Sequence, residues 1–355
     1  MVIKALYIDD EISRPGREAQ KYKELLHLPG VFECDLQFPP KSFFDISSQF
    51  DAFLIDLDLS VPSSSGETVG YFGSTLASEI RMRDPVRPII LITRPNMIMG
   101  KAQLLEDSID VDLIIFKDEI NQDPDGTRAK IIALVEGFKA LAAIQGQSWQ
   151  RVLELMKADD DETNLLREAA PPVEHGQWNV PQVASWVRNV VMGFPGILYD
   201  DLTAATRLGI DLESFRKSDV QAMMEQAEYA GVFSTYKERW WRDRTFQIAQ
   251  SLLLKHKMRG PIPEKFREAF AIESNKMLDP AVCIVDGTPT ADWVCHIFKK
   301  PVKQRNSIPY YPDSRLSVMD QARVSFKAIQ ESDEFDESLV DADSYEFVKK
   351  LMRGE

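Results

Sequence analysis

The sequence predicts an α/β protein: a doubly wound, five-stranded parallel sheet followed by a mostly helical α+β region. Three observations predict it. Short apolar runs without polar alternation recur through the first third of the chain, as in strands buried on both faces. Stretches of helical length separate them, the order that builds a parallel sheet with helices on both sides. Beyond about residue 127 the apolar spacing becomes helical and stays so over most of the remainder.

The strand-like runs are residues 3–8, 53–57, 88–93 and 113–116, with a poorer run at 31–38 that reads as a less buried strand. Helices fit at 13–28, 73–83 and from 127 onward. Ile131, Leu134, Val135, Phe138, Leu141, Trp149, Val152 and Met156 extend the last of these, interrupted by Gly137 and Gly146. The spacing suits one long connector or two helices with a bend. Asp159 to Glu162 reads as a solvated break, and Pro171-Pro172 as a boundary.

Further on, helices are expected at 181–192, 201–208, 218–229 and 239–257, with Asp201 and Ser218 as N-caps and Gly209 closing the second. Strands are expected at 281–286 and 292–298 about a Gly287-Thr288-Pro289 turn, then helices at 317–330 and 344–352 around an acidic loop, 331–337.

A chain of 355 residues calls for two or three domains, and 44% hydrophobic residues can fill their cores. The net charge of −14 argues against a surface that binds nucleic acid all round. The three cysteines, Cys34, Cys283 and Cys295, lack metal-ligand spacing and suggest a reducing compartment. Four histidines make a zinc site unpromising. The first apolar run is too short for a signal-peptide core and ends in acids, and no stretch is long enough to span a membrane, so a cytoplasmic location without membrane partners is expected.

Ligands of parallel α/β sheets bind outside the carboxyl ends of the strands. There the sequence places Asp9 and Asp10, Asp56, Thr93 and Lys117, each where an apolar run stops. Three carboxylates brought together need a cation, and Mg²⁺ accepts one or two of them plus waters and phosphate oxygens. Asp56 can then act as nucleophile toward a phosphoryl donor, while Thr93 and Lys117 suit the phosphoryl oxygens. The expected metal residues are Asp9, Asp10 and Asp56. Asp58 lies close enough to join through its backbone or a water, or to be solvated.

Tyr7-Ile8-Asp9-Asp10-Glu11, Phe53-Leu54-Ile55-Asp56-Leu57, Ile90-Leu91-Ile92-Thr93 and Ile115-Phe116-Lys117 resemble the four signature segments of the response-regulator receiver family, in the same order. The resemblance covers about the first third of the chain. It implies a flavodoxin-like fold over residues 1–126, Mg²⁺, and phosphorylation of Asp56 by a histidine kinase or kinase-like ATPase. No enzymatic activity is implied beyond that phosphotransfer. Three positions depart from the family pattern. Arg94 follows the threonine where a small residue is usual, and is placed to cover the pocket or lend charge to a phosphate. Asp118 replaces a proline, and Ile114 stands where an aromatic switch residue is common. The 62–73 loop is longer than usual and suits a lid or a partner-binding loop.

Residues 127–170 then read as a helical connector. Residues 171–355 read as an output or interaction domain with a small β element near 281–312. Residues 202–211 resemble the first helix and turn of a helix-turn-helix, which makes a receiver-controlled DNA-binding regulator the alternative. The run Arg239-Trp240-Trp241-Arg242-Asp243-Arg244 suits base stacking or, preferably, a core helix with solvated arginines. Residues 299–305 form a basic loop that suits a hairpin turn. Asp286, Asp292 and His296 make a catalytic cluster only if the fold gathers them. His175, His256 and His296 are scattered. Segments 209–215, 239–244 and 319–329 faintly resemble C-terminal extensions of receiver proteins in bacterial conflict systems, which implies an antiviral-defence setting. A degenerate receiver, its phosphorylation lost through the departures at Arg94, Asp118 and Ile114, that serves there as a protein-interaction scaffold is the other alternative. Protein partners are expected, and a homodimer is compatible with the sequence.

Overall fold

The computed structural model describes residues 2–13, 18–40, 49–59, 71–95, 110–171, 177–193, 196–260, 262–310 and 319–353. Most of the 62–73 loop, Pro172 and His175 lie outside them. The chain forms two compact units. Unit 1 comprises residues 1–155, 171–187 and 232–236; unit 2 comprises 156–170, 188–231 and 237–355.

Unit 1 is built on five parallel strands: β1 (Ile3–Ile8), β2 (Phe32–Gln37), β3 (Ala52–Asp56), β4 (Ile89–Thr93) and β5 (Leu113–Phe116). Their order is β2-β1-β3-β4-β5, a flavodoxin-like arrangement. β3 and β4 are buried at every residue, as their unbroken apolar runs require, and edge strand β2 is only partly buried. The helices are α1 (Glu18–Leu26), α2 (Gly73–Arg83), α3 (Lys117–Gln122) and α4 (Pro124–Ala142). Asp123 separates α3 from α4: its side chain accepts from the Gly126 amide at 2.8 Å, and Pro124 occupies the first turn. The last sheet helix is therefore broken before residue 127. A second bend, where Gly146 takes a φ of +80°, leads to α5 (Trp149–Leu155).

The expected break at 159–162 is instead a helix start. The Asp159 carboxylate accepts from the Glu162 amide at 2.8 Å, and Glu162 accepts from the Asp159 amide at 2.9 Å, capping α6 (Asp160–Glu168). Glu162 is buried because Arg244 grips both its carboxylate oxygens.

In unit 1, α7 (Val180–Ser185) runs on into a π-helical turn through Val191 in unit 2. In unit 2, β6 (Leu198–Tyr199) precedes α8 (Asp201–Arg207), α9 (Leu212–Phe215) and α10 (Ser218–Met224). The N-caps fall one residue earlier than expected: Asp200 accepts from the Thr203 amide at 2.8 Å, and Lys217 precedes α10. Helix 239–257 is shorter than its pattern. Trp240–Trp241 is strand β7, paired antiparallel with β6, and α11 (Arg242–Lys255) begins after it. Two adjacent bulky aromatics, both buried, suit a strand edge better than a first helical turn. With α12 (Pro263–Ser274) these elements enclose a core of Tyr199, Leu208, Phe215, Trp240 and Phe270.

A second core, around Cys283, Cys295, Val324, Ile329 and Val348, sits under the small β element. Its strands are β8 (Trp293–Val294), β9 (Pro301–Val302), β10 (Ser307–Pro309) and β11 (Arg323–Ser325), paired in two antiparallel hairpin-like couples. The expected strand at 281–286 contributes only the bridge between Val282 and Pro289. The expected helix at 317–330 begins at Phe326, because the Ser325 hydroxyl accepts from the Ala328 amide and caps it (α13, Phe326–Glu331). The last helix, α14, is Ala342–Met352.

Candidate phosphoacceptor site

Strand register gathers the site. Ile8 pairs with Ile55, Asp56 with Ile92, and Thr93 with Phe116. The residues that end the strands therefore share one edge of the sheet. Asp9 and Asp10 leave β1 beside Asp56 on β3, which is where the strand order reverses. Thr93 ends β4, and Lys117 follows β5 as the first residue of α3. All five side chains are buried, although their types are seldom so without a purpose.

The Lys117 ammonium donates to Asp56 Oδ2 at 2.5 Å, and the Asp58 amide donates to Asp56 Oδ1 at 3.2 Å. Burial pushes the Asp56 carboxyl up, Lys117 opposes this, and Asp9 adds to it, so its net displacement is upward. Burial pulls Lys117 down, but Asp56 and Asp9 more than offset that and hold it above the usual lysine value. Lys117 stands 5.8 Å from the centre of the Tyr22 ring, on α1. The Thr93 hydroxyl is buried with no hydrogen-bond partner among the described residues. An unpaired buried hydroxyl is costly, and an incoming oxyanion is the kind of acceptor that would relieve it.

Three buried carboxylates around one ammonium leave the pocket with excess negative charge. Hard carboxylate oxygens suit Mg²⁺ in kind. No three potential ligands lie close enough together to hold one ion among the described residues. Asp9 already accepts on both oxygens: its Oδ2 from the Tyr7 hydroxyl and its Oδ1 from the Glu11 amide, both at 2.8 Å. A two-carboxylate site of Asp10 and Asp56 completed by waters is within what Mg²⁺ accepts.

Arg94 does not cover the pocket. It is largely exposed, and its guanidinium donates to Glu18 at the start of α1 at 2.5 Å. Asp118 is exposed in the first turn of α3, where an acid favours the helix N-terminus. Ile114 is buried in the core with Leu91 and Ile55.

Two contributors escaped the sequence reading. Tyr7 lies two residues before Asp9, and strand periodicity puts the pair on one face, a signal that was available. Gly73 starts α2 so close to β3 that a Cβ would run into the Asp56 carbonyl. Nothing in its local sequence marks that contact.

In unit 2 each of the other candidates has structural partners of its own. Asp286 accepts from the Thr288 amide and hydroxyl, Arg305 and Asn306, which makes it a turn anchor. Asp292 caps the Gln304 amide at 3.0 Å. The His296 ring packs 5.5 Å from Tyr310. His256 pairs with Glu273 at 2.9 Å. Trp240 and Trp241 are buried, and so are unavailable for base stacking. The 202–211 match leads into α9, a single turn with Ser214 and Phe215 buried, whereas a recognition helix must lie exposed along a groove. No helix among the described residues is long and apolar enough to cross a membrane.

No family model matches the chain, and no curated protein matches it. Among solved structures, the chain is similar to the response regulator TrrA of Thermotoga maritima in complex with Mg²⁺ and BeF. The identity is 23% over 35% of this chain and 96% of that one, with a TM-score of 0.24. It is similar to a CheY-like receiver-domain protein of Methanospirillum hungatei, at 12% identity over 37% of this chain and 97% of that one, TM-score 0.26. It is also similar to the RcsB response regulator of Salmonella typhimurium, at 18% identity over 55% of this chain and 93% of that one, TM-score 0.25.

Proposed function

We propose that unit 1 is a phosphoacceptor switch of the receiver type, in which Asp56 takes a phosphoryl group and thereby controls the interactions of the C-terminal region, most of which belongs to unit 2. The observation that supports this most is the Asp56–Lys117 contact at 2.5 Å beside the unpartnered Thr93 hydroxyl. An Asp56 oxygen bonds to phosphorus as the P–N bond of a phosphohistidine, on a histidine kinase or kinase-like ATPase, breaks. The departing imidazole takes up a proton. Lys117 then transfers its hydrogen bond from the carboxylate to a phosphoryl oxygen, and Thr93 donates to another. Mg²⁺, held by Asp10 and Asp56 with Asp9 in support, would supply charge neutralisation for the phosphoryl oxygens.

The product takes the side chain from about one negative charge to about two, where Lys117 is the nearest cation. Glu18, which pairs with the exposed Arg94, acts on the charge of Lys117 and so links the pocket to the surface of α1. Protein docking is preferred to DNA binding as the output, because the helix after residue 211 is one turn long and half buried.

Beryllofluoride with Mg²⁺, an analogue of the aspartyl phosphate, tests the switch. Wild type should gain several degrees in unfolding midpoint and Asp56→Ala should gain none. An equal response from both, or none from wild type, rejects the reading.

A further inference from the structure

We propose that Tyr7 is the positioning residue of the acidic pocket: its buried hydroxyl fixes the Asp9 carboxylate in the orientation from which it supports a divalent cation held by Asp10 and Asp56. This rests on the reading of the pocket as a cation site and adds to it the residue that sets its affinity.

Tyr7 is fully buried in β1, whose other buried side chains are Ile3, Ala5, Leu6 and Ile8. A phenol in such a strand must find an acceptor for its hydroxyl. That acceptor is Asp9 Oδ2, at 2.8 Å, on the same face two residues along. The Glu11 amide holds Oδ1 from the other side at 2.8 Å. Donors on both oxygens fix the plane of the carboxylate. An aliphatic residue at position 7 would leave one oxygen of a fully buried carboxylate without this donor. A lysine or arginine that donated to Asp9 would cancel the charge that attracts a cation. The phenol is a neutral donor, so it orients without neutralising. Hydrogen bonds of this outer kind commonly set metal affinity by about ten-fold or more.

The test is a Mn²⁺ titration of the full chain, reading the free-ion signal by electron paramagnetic resonance, with Mg²⁺ as competitor. Tyr7→Phe should weaken binding about ten-fold. In an Asp9→Asn background the same change should cost less than about two-fold, because the hydroxyl acts through that carboxylate. Tyr7→Phe binding as tightly as wild type, or effects that simply add, overturns the proposal and leaves the cation site standing. Wild type that binds neither ion overturns both. Ring-carbon resonances of labelled tyrosines in wild type give a readout that needs no variant to fold. One buried tyrosine should shift on Mg²⁺ addition, and no shift overturns the proposal.

Discussion

His296 shows how a single buried ring can tie the fold to pH. Burial pulls its imidazole down to about 4, with Lys299 adding to the effect. The folded chain thus keeps the ring neutral while the unfolded chain takes up a proton near pH ~6.5. The unfolded state binds more protons between those values. The neutral ring's contribution is therefore complete above the unfolded value and is lost as pH falls toward about 4. His296→Phe keeps a ring beside Tyr310 and removes the titration. Between pH ~7 and pH ~4.5 the unfolding midpoint of wild type should fall further than that of the variant. Parallel curves would reject the assignment. The same scale separates what was legible from what was not. That Asp9, Asp10, Asp56, Thr93 and Lys117 gather at one end of the sheet was legible, because each stands where an apolar run stops at its carboxyl end. The fate of Arg94 was not, because only the fold brings Glu18, 76 residues away, within 2.5 Å.

Among the elements, α2 is held to the start of β4 and β5 by a buried ion pair. Arg81 donates to Asp112 and to the Arg87 carbonyl, and Asp112 accepts from the Ile89 amide at 2.8 Å. Removing one partner strands the other in a dry core. Arg81→Met should cost about 3–5 kcal/mol in urea unfolding, and Arg81→Met with Asp112→Asn should recover much of it. A cost below about 1 kcal/mol would show the pair to be solvated. Element positions were legible where period and burial agree. The bounds of α2 are those its pattern gives. They failed where capping decides: Asp159 looked like solvent-facing charge, yet it starts α6, and its partner Glu162 is buried by Arg244, 82 residues on. Trp240–Trp241 fitted a helical spacing equally well, and only pairing with Leu198–Tyr199 fixes it as strand.

At the scale of the whole molecule, unit 1 is assembled from three stretches of chain. Its last stretch sets Phe233, at a φ of +64°, edge-on to Phe138 at 6.3 Å and against Gly137, where a Cβ would strike the Phe233 ring. The Val232 amide donates to the Leu155 carbonyl at 3.0 Å. Phe233→Ala should cost about 3–5 kcal/mol through the void it leaves. Gly137→Ala should cost about 1–3 kcal/mol through overlap. The double variant should cost less than the sum, because the added methyl occupies the vacated space. Strict additivity in urea titrations would argue that the two residues do not meet. The contact also orders events on the ribosome. Gly137 leaves the exit tunnel before Phe233 exists, and the first two stretches of unit 2, residues 156–170 and 188–231, are translated in between. The nascent sheet must wait with an open seat on α4 until that later aromatic arrives. Completion of unit 1 is therefore tied to synthesis of the first part of unit 2.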